Sequence, residues 1–392
     1  MQFDARYVVI TSDEHYTPSM RQGPWAKHPM VRGTYELAAM EVARWCRDHE
    51  SEGIVRISGA DTLDTADPQP DRLRWLQDYF ESHLKSCQAY LYIQGQHERS
   101  SKCPDVPWMT VISDDPKVQY MDNKRAMVGD ELFYFSSNVS VEELFDRINS
   151  LVDEHTPPNT FFNLIAHQLW SPWVIANSLT PNLQSLPPHI RRVFSGDMHM
   201  VKNDVFSTTY GATVEAYSIG PFCAQAWGEE TAPRFIVFDT QRKAIVSVPL
   251  PSREMTTVKI HTEEELERLC DLIKSKDTYL SMTDPTLPLL RVQYSSRIPN
   301  VMSKLEQVSD RKCYIFFHPF TPVDHGAELH QIYTRDSIQA SADGFFNLNP
   351  LTLPGTPVRS IIDTVMDARS QKDLETRLNQ TKDKLLKEMN TL

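Results

Sequence analysis

Five short apolar runs in the first two hundred residues each end in side chains able to bind a metal, and this pattern constrains the fold more than any other feature. Tyr7 to Ile10 runs into Asp13-Glu14-His15. Ile54 to Ser58 runs into Gly59-Ala60-Asp61, with Asp64 three residues on. Ala89 to Ile93 runs into Gly95-Gln96-His97-Glu98. Phe161 to Ala166 is followed by His167, and Arg192 to Ser195 by Gly196-Asp197-Met198-His199. Each run has the length and apolar content of a buried strand. Helical spacing fills several of the gaps. Ala38, Val42 and Trp45 share a face within Glu36 to Arg47, and Leu73, Leu76, Phe80 and Leu84 recur in the next gap. A Ser140–Glu143 capping box opens a third helix carrying Leu144, Ile148 and Leu151. Such alternation predicts a layered α/β domain running to about residue 250, with Phe235 to Phe238 as a further strand. In that arrangement, residues at the carboxyl ends of successive strands collect on one rim of the sheet.

At 392 residues the chain exceeds what one core usually absorbs, so more than one domain is expected. Thr256 to Ile260, a Thr262–Glu265 capping box with Leu266, Leu269 and Ile273 behind it, Leu289 to Tyr294, Val301 to Leu305 and Cys313 to Phe317 read as a small βαβαβ unit. The boundaries are expected at 1–255, 256–318, an aperiodic linker at 319–357 and a helical tail at 358–392. The tail carries one apolar stripe through Ile361, Ile362, Val365 and Met366 and a second through Leu374, Leu378, Leu385 and Met389. No run is long and apolar enough to span a membrane, and the first residues lack a secretory pattern. Six scattered cysteines suit a reducing cytoplasm and a thiolate-free site.

Carboxylate, imidazole and amide oxygen are donors suited to Mn²⁺, Zn²⁺ or iron, and two cations about 3.5–4 Å apart can share one bridging carboxylate. A single DxH is common by chance. The succession of five strand-end motifs is not. At these residues the chain resembles the calcineurin-like metallophosphoesterases, whose pattern is DxH, GDxxD, GNH[DE], a lone His and GHxH, and within them the SbcD-type DNA-repair nucleases. The likeness covers about the first 250 residues by motif, and more loosely the βαβαβ unit and the tail. Tyr217-Ser-Ile-Gly-Pro221 is similar to the segment that follows the last histidine motif in such nucleases. The resemblance implies a layered β-sandwich core flanked by helices, a small α/β capping domain and C-terminal helices.

By that resemblance Asp13, His15 and His199 bind a first metal, Asp61 bridges, Gln96 and His167 bind the second, and His97 is the unliganded catalytic acid. Two positions depart from the pattern. Gln96 stands where the family has asparagine, and Asp197 where it has the first histidine of GHxH. Both remain competent oxygen ligands, and the extra carboxylate favours Mn²⁺ or Mg²⁺ over softer ions. Arg21, Lys27, Arg32, Arg99 and Lys102 flank the first and third motifs and are candidates for phosphate contact, as well as ordinary solvated charges. His28, His49, His83, His155 and His189 lie outside the strand-end motifs and read as surface residues.

A net charge of −12 speaks against nucleic acid only as an average, because bound cations reverse the local field at a carboxylate-rich site. The functional expectation is a DNA exo- or endonuclease subunit with two divalent ions, most readily Mn²⁺. Its implied partners are DNA, an SMC-like ATPase docked on the tail helices, and a second copy of the chain, in the cytoplasm of a bacterium or a phage-infected cell. The alternatives are a phosphatase or small-molecule phosphodiesterase, and a metal-binding scaffold without catalysis. Protein phosphatases with this pattern carry GDxxDRG and RGNHE. Here Thr65 follows Asp64 and Gln94 precedes Gly95, so both arginines are missing.

Overall fold

The computed structural model describes residues 1–15, 32–63, 73–74, 77–78, 81, 84–99, 115–153, 156–157, 159–174, 179–223, 233–276 and 287–320, with side chains of the first helix from residue 37 on. The strands are β1 Gln2–Phe3, β2 Tyr7–Thr11, β3 Ile54–Ser58, β4 Ala89–Tyr92, β5 Val118–Tyr120, β6 Lys124–Val128, β7 Glu131–Ser136 and β8 Phe162–His167. There follow β9 Ile190–Gly196, β10 Lys202–Ser207, β11 Thr213–Ser218, β12 Arg234–Asp239, β13 Ala244–Pro249, β14 Met255–Ile260, β15 Leu289–Ser295 and β16 Tyr314–Phe320. Four helices are described, α1 Arg32–Asp48, α2 Val141–Asn149, α3 Glu263–Lys274 and α4 Val301–Ser309.

Two mixed sheets form a sandwich. One runs in the order β13-β12-β2-β3-β4-β5, the other β1-β6-β7-β8-β9-β11-β10. The central strands are buried on both faces, and the two-residue side-chain period sorts them into layers. On β2, Val8 and Ile10 point into the sandwich and meet Phe133, Phe135, Ile165 and Phe194 of the other sheet. Val9 between them points outward and packs with Ala38, Val42 and Cys46 of α1. The second sheet repeats the scheme, since Leu164, Ala166 and Val193 face outward onto Leu144 and Ile148 of α2. The layers are therefore helix, sheet, sheet, helix, which is the expected α/β sandwich. Ser140 Oγ caps α2 by accepting from the Glu143 N–H at 3.2 Å, but the Glu143 carboxylate pairs with Arg147 at 2.6 Å. The expected capping box is thus replaced by an N-cap and an i,i+4 ion pair.

A third sheet, β14-β15-β16, is parallel throughout and is closed by α3 and α4 into a βαβαβ unit. It has its own apolar cluster, including Ile260, Leu266, Leu269, Val292 and Leu305. Here the capping box is complete, with Thr262 and Glu265 each accepting from the other's main chain. The expected helix through Leu76 and Phe80 is described only in fragments, and the linker and tail from residue 321 on lie outside the described residues. No helix among the described residues is long and apolar enough to cross a membrane.

Candidate metal centre

β2, β3 and β4 run side by side and parallel in one sheet, as do β8 and β9 in the other. Their carboxyl ends deliver Asp13, His15, Asp61, His97, His167, Asp197 and His199 to one end of the sandwich. Asp61 is the hub. Its Oδ2 lies 3.1 Å from His167 Nε2, 3.7 Å from His15 Nε2 and 3.9 Å from His97 Nε2. Asp13 Oδ1 lies 3.5 Å from His199 Nε2 and 3.9 Å from His15 Nε2, and accepts the Asp197 N–H at 3.0 Å. The Nε2 atoms of His15 and His199 face each other at 3.2 Å. Three overlapping groups result, Asp13-His15-His199, His15-Asp61-His97 and Asp13-Asp61-His167, with candidate ligand atoms within 4.8 Å of one another in each. Two donors bound at about 2.0–2.2 Å to one cation lie roughly 3–3.5 Å apart, so this spacing suits shared cations.

The main chain is shaped for these side chains. Asp13 (φ 52°), His15 (φ 42°), Ala60 (φ 85°), Asp61 (φ 52°) and Asp197 (φ 72°) all occupy the left-handed region. Each such residue costs about 1–3 kcal/mol, and clustered strain of this kind marks functional loops. Glycines supply close approach. A Cβ on Gly95 would sit 2.6 Å from Asp61 Cγ and 2.9 Å from His167 Nε2. One on Gly196 would sit 2.7 Å from both the Gly59 carbonyl oxygen and His167 Nδ1. Neither backbone can yield cheaply. Gly196→Ala is therefore expected to lower stability by about 1–3 kcal/mol and to displace the His167 ring. Thermal unfolding, read beside Mn²⁺ affinity, checks both effects.

His167 is fully buried, and both its ring nitrogens meet oxygens, Nδ1 the Gly59 carbonyl at 2.7 Å and Nε2 the Asp61 carboxylate. The Gly59 carbonyl leaves Nε2 as the atom that faces the centre, the usual way an outer group orients a metal-binding imidazole. Burial disfavours its charged form, but Asp61, Asp13 and Asp197 outweigh it and raise His167 to about 10. His15 goes the other way. Burial chiefly, with His199 and His97, lowers it to about 4 against the pull of Asp61 and Asp13, leaving a neutral imidazole. Burial raises the two central carboxyls, yet the histidines dominate. Asp61 falls to about 2 beside His167, His15 and His97, and Asp13 falls below its ordinary value beside His199, His167 and His15. Ionised carboxylates facing imidazole nitrogens form a donor set that fits two divalent cations.

The remaining candidates divide. Gln96 is exposed, and its amide N–H donates to Asp197 Oδ1 at 2.6 Å, so the two departures from the family pattern contact each other. His97 is the most open histidine of the centre, its side chain 46% exposed, and its main-chain N–H donates to Asp61 Oδ1 at 3.3 Å. Arg99 is exposed, Arg32 opens α1, and Arg21, Lys27, Lys102 and Asp64 lie outside the described residues. Sequence reasoning passed over the supporting groups. Glu98 is buried and accepts main-chain N–H bonds from Asp61, Thr62, Leu63 and Gly95. Burial and the Asp61 charge push its carboxyl up to about 8, against the pull of the Leu63 and Gly95 N–H groups. Asn138 donates to the His167 carbonyl at 3.0 Å and Ser12 to the Gly59 carbonyl at 3.0 Å. Only Glu98 carried a signal, its place directly after His97.

No family model matches the chain, and no curated protein matches it. Among solved structures, a Thermus thermophilus protein is 11% identical over 62% of this chain and 99% of its own, with a TM-score of 0.36. A dimetal phosphatase from Danio rerio is 11% identical over 63% and 99%, with a TM-score of 0.35. A cold-active protein-tyrosine phosphatase from a psychrophilic Shewanella is 10% identical over 63% and 82%, with a TM-score of 0.29. Likeness at this level shows neither family nor activity for this chain.

Proposed function

We propose that the chain is a two-metal phosphodiesterase that cuts DNA. The observation that carries the reading is the convergence of ligands from five strand ends on Asp13, His15 and Asp61, which belong to more than one candidate metal group each. Asp13, His15 and His199 would hold one divalent cation, and Asp61 and His167 the other, with Gln96 and Asp197 at the rim. The oxygen-rich donor set favours Mn²⁺, with Mg²⁺ as the substitute. Such a pair, when bound, supplies Lewis acidity toward a phosphoryl oxygen and a strong nucleophile from water.

The protein's own groups do the rest. The Gly59 carbonyl holds the His167 ring with Nε2 inward, and the ionised Asp61 and Asp13 supply the negative charge that would hold cations against an incoming phosphate. His97, the open imidazole, is placed to give its proton to the leaving oxygen. The nuclease reading is supported against a protein phosphatase by the missing arginines after Asp64 and before Gly95, and against a small-substrate phosphatase by the additional βαβαβ unit and the tail stripes. Docking of an SMC-like ATPase on the tail stripes is part of the same proposal, carried by the sequence pattern, and pairing with a second copy is part of it by resemblance.

The deciding assay sets linear DNA beside bis-p-nitrophenyl phosphate and p-nitrophenyl phosphate, each with Mn²⁺ and with chelator. Metal-dependent cleavage of DNA and of the diester supports the proposal. Hydrolysis of the monoester alone would move the chain to the phosphatases. No turnover, with Mn²⁺ bound, would make it a scaffold.

A further inference from the structure

The loop that presents Asp61 is held by a side chain from the neighbouring loop. Glu98 Oε1 accepts the N–H of Thr62 at 2.8 Å and of Leu63 at 3.2 Å, while Oε2 accepts the N–H of Asp61 at 3.1 Å and of Gly95 at 3.4 Å. The return bond also exists, since the His97 N–H donates to Asp61 Oδ1. Gln94 completes the frame. Its amide donates to the Glu98 carbonyl at 2.9 Å, its N–H donates to Ser137 Oγ at 3.0 Å, and its carbonyl accepts the Asn138 N–H at 3.0 Å. Asn138 in turn donates to the carbonyl of His167.

We propose that Glu98 is the positioning residue for the shared carboxylate, fixing Asp61 against His97 by gathering four main-chain N–H groups from two loops onto one side chain. The proposal rests on the metal-centre reading above for its effect on cleavage, though not for its effect on the loop. Two features make the role necessary. Ala60 and Asp61 are both left-handed, a conformation that L residues leave unless something over-determines it. The Asp61 and Thr62 side chains and main chain are buried, so N–H groups released there have no water to turn to.

The geometry sets what each substitution does. Glutamine has the same shape but one oxygen, so Glu98→Gln turns an N–H₂ toward two N–H donors. Glu98→Asp keeps both oxygens but withdraws them by one methylene. The full chain and both variants are compared by thermal unfolding, by amide hydrogen exchange of segments 60–63 and 94–99 without metal, and by Mn²⁺ titration and diester kinetics. Glu98→Gln is expected to stay folded, to lose protection in both segments, and to weaken Mn²⁺ binding and kcat about 10–100-fold with KM little changed. Glu98→Asp should recover part of each loss. A merely structural glutamate would show a lowered unfolding temperature with metal affinity and kcat intact in the folded fraction, which would overturn the proposal. So would unchanged exchange in both segments. If wild type bound no Mn²⁺ while Glu98→Gln still freed both segments, the metal-centre reading would fall and the positioning of Asp61 would stand.

Discussion

Asp61→Ala is expected to leave the chain folded but unable to keep two divalent ions, and to cut metal-dependent diester cleavage to near background. Asp61 Oδ2 lies within 3.1–3.9 Å of the Nε2 atoms of His15, His97 and His167. Removing it takes away the carboxylate nearest to all three rings, and with it the negative charge they share to offset a cation's desolvation. A bridging carboxylate serves both ions, so its loss costs more than that of a terminal ligand. Metal analysis of the purified variant by mass spectrometry, beside circular dichroism for fold, reads the result. Two ions still bound would contradict the bridging role. Asp61→Asn separates charge from shape. It keeps an oxygen at the site, so one weakly held ion is expected rather than none.

His97→Ala should give the complementary pattern, two ions retained and cleavage lowered about 10²–10⁴-fold, the range of a positioned acid. The geometry poses the question sharply. His97 Nε2 is 3.9 Å from Asp61 Oδ2, inside one of the three candidate ligand groups, yet its ring is the most open of the four that line the centre. A proton donor to a leaving group must reach the substrate, and exposure at the mouth favours that role over ligation. Substrates with better leaving groups should be far less affected by the substitution, because they need no proton. Loss of an ion in His97→Ala would instead make it a ligand. Wild-type rates on DNA would exclude it from the chemistry.

How much of this the sequence carried depends on where each residue sits. The doubly buried strands β2, β3, β4, β8 and β9 announce themselves as continuous apolar runs, and every ligand candidate follows directly from one of them. The edge and hairpin strands did not show. β6 and β7 are joined by Gly129–Asp130, with Gly129 at φ 59°, a tight-turn signal that went unread because Lys124–Val128 opens on two exposed charges and carries no sustained apolar run. β10 is exposed along its length and carries Lys202, Asn203 and Asp204, so no apolar period marks it. β13 is similar, an edge strand with little burial. The centre was legible as a set of ligands and illegible as a support. Glu98, Asn138 and Ser12 act through main-chain atoms of other loops, and pairings between residues 29 to 47 positions apart leave no local pattern.

The ligands hang from different layers. Asp13, His15, Asp61 and His97 follow strands of one sheet, and His167, Asp197 and His199 belong to the other, so two of the three candidate groups draw on both. A cation held there would cross-link sheets that meet through an apolar core and a few hydrogen bonds, such as Asp197 N–H to Asp13, and it would close a loop of more than a hundred residues from Asp61 to His167. Loop closure of that length removes considerable freedom from the opened chain. Loading would then act as a checkpoint on assembly, because a chain in which the sheets had formed but not docked would offer each ion only part of its shell. The metal content of such a protein would report that its two halves had come together.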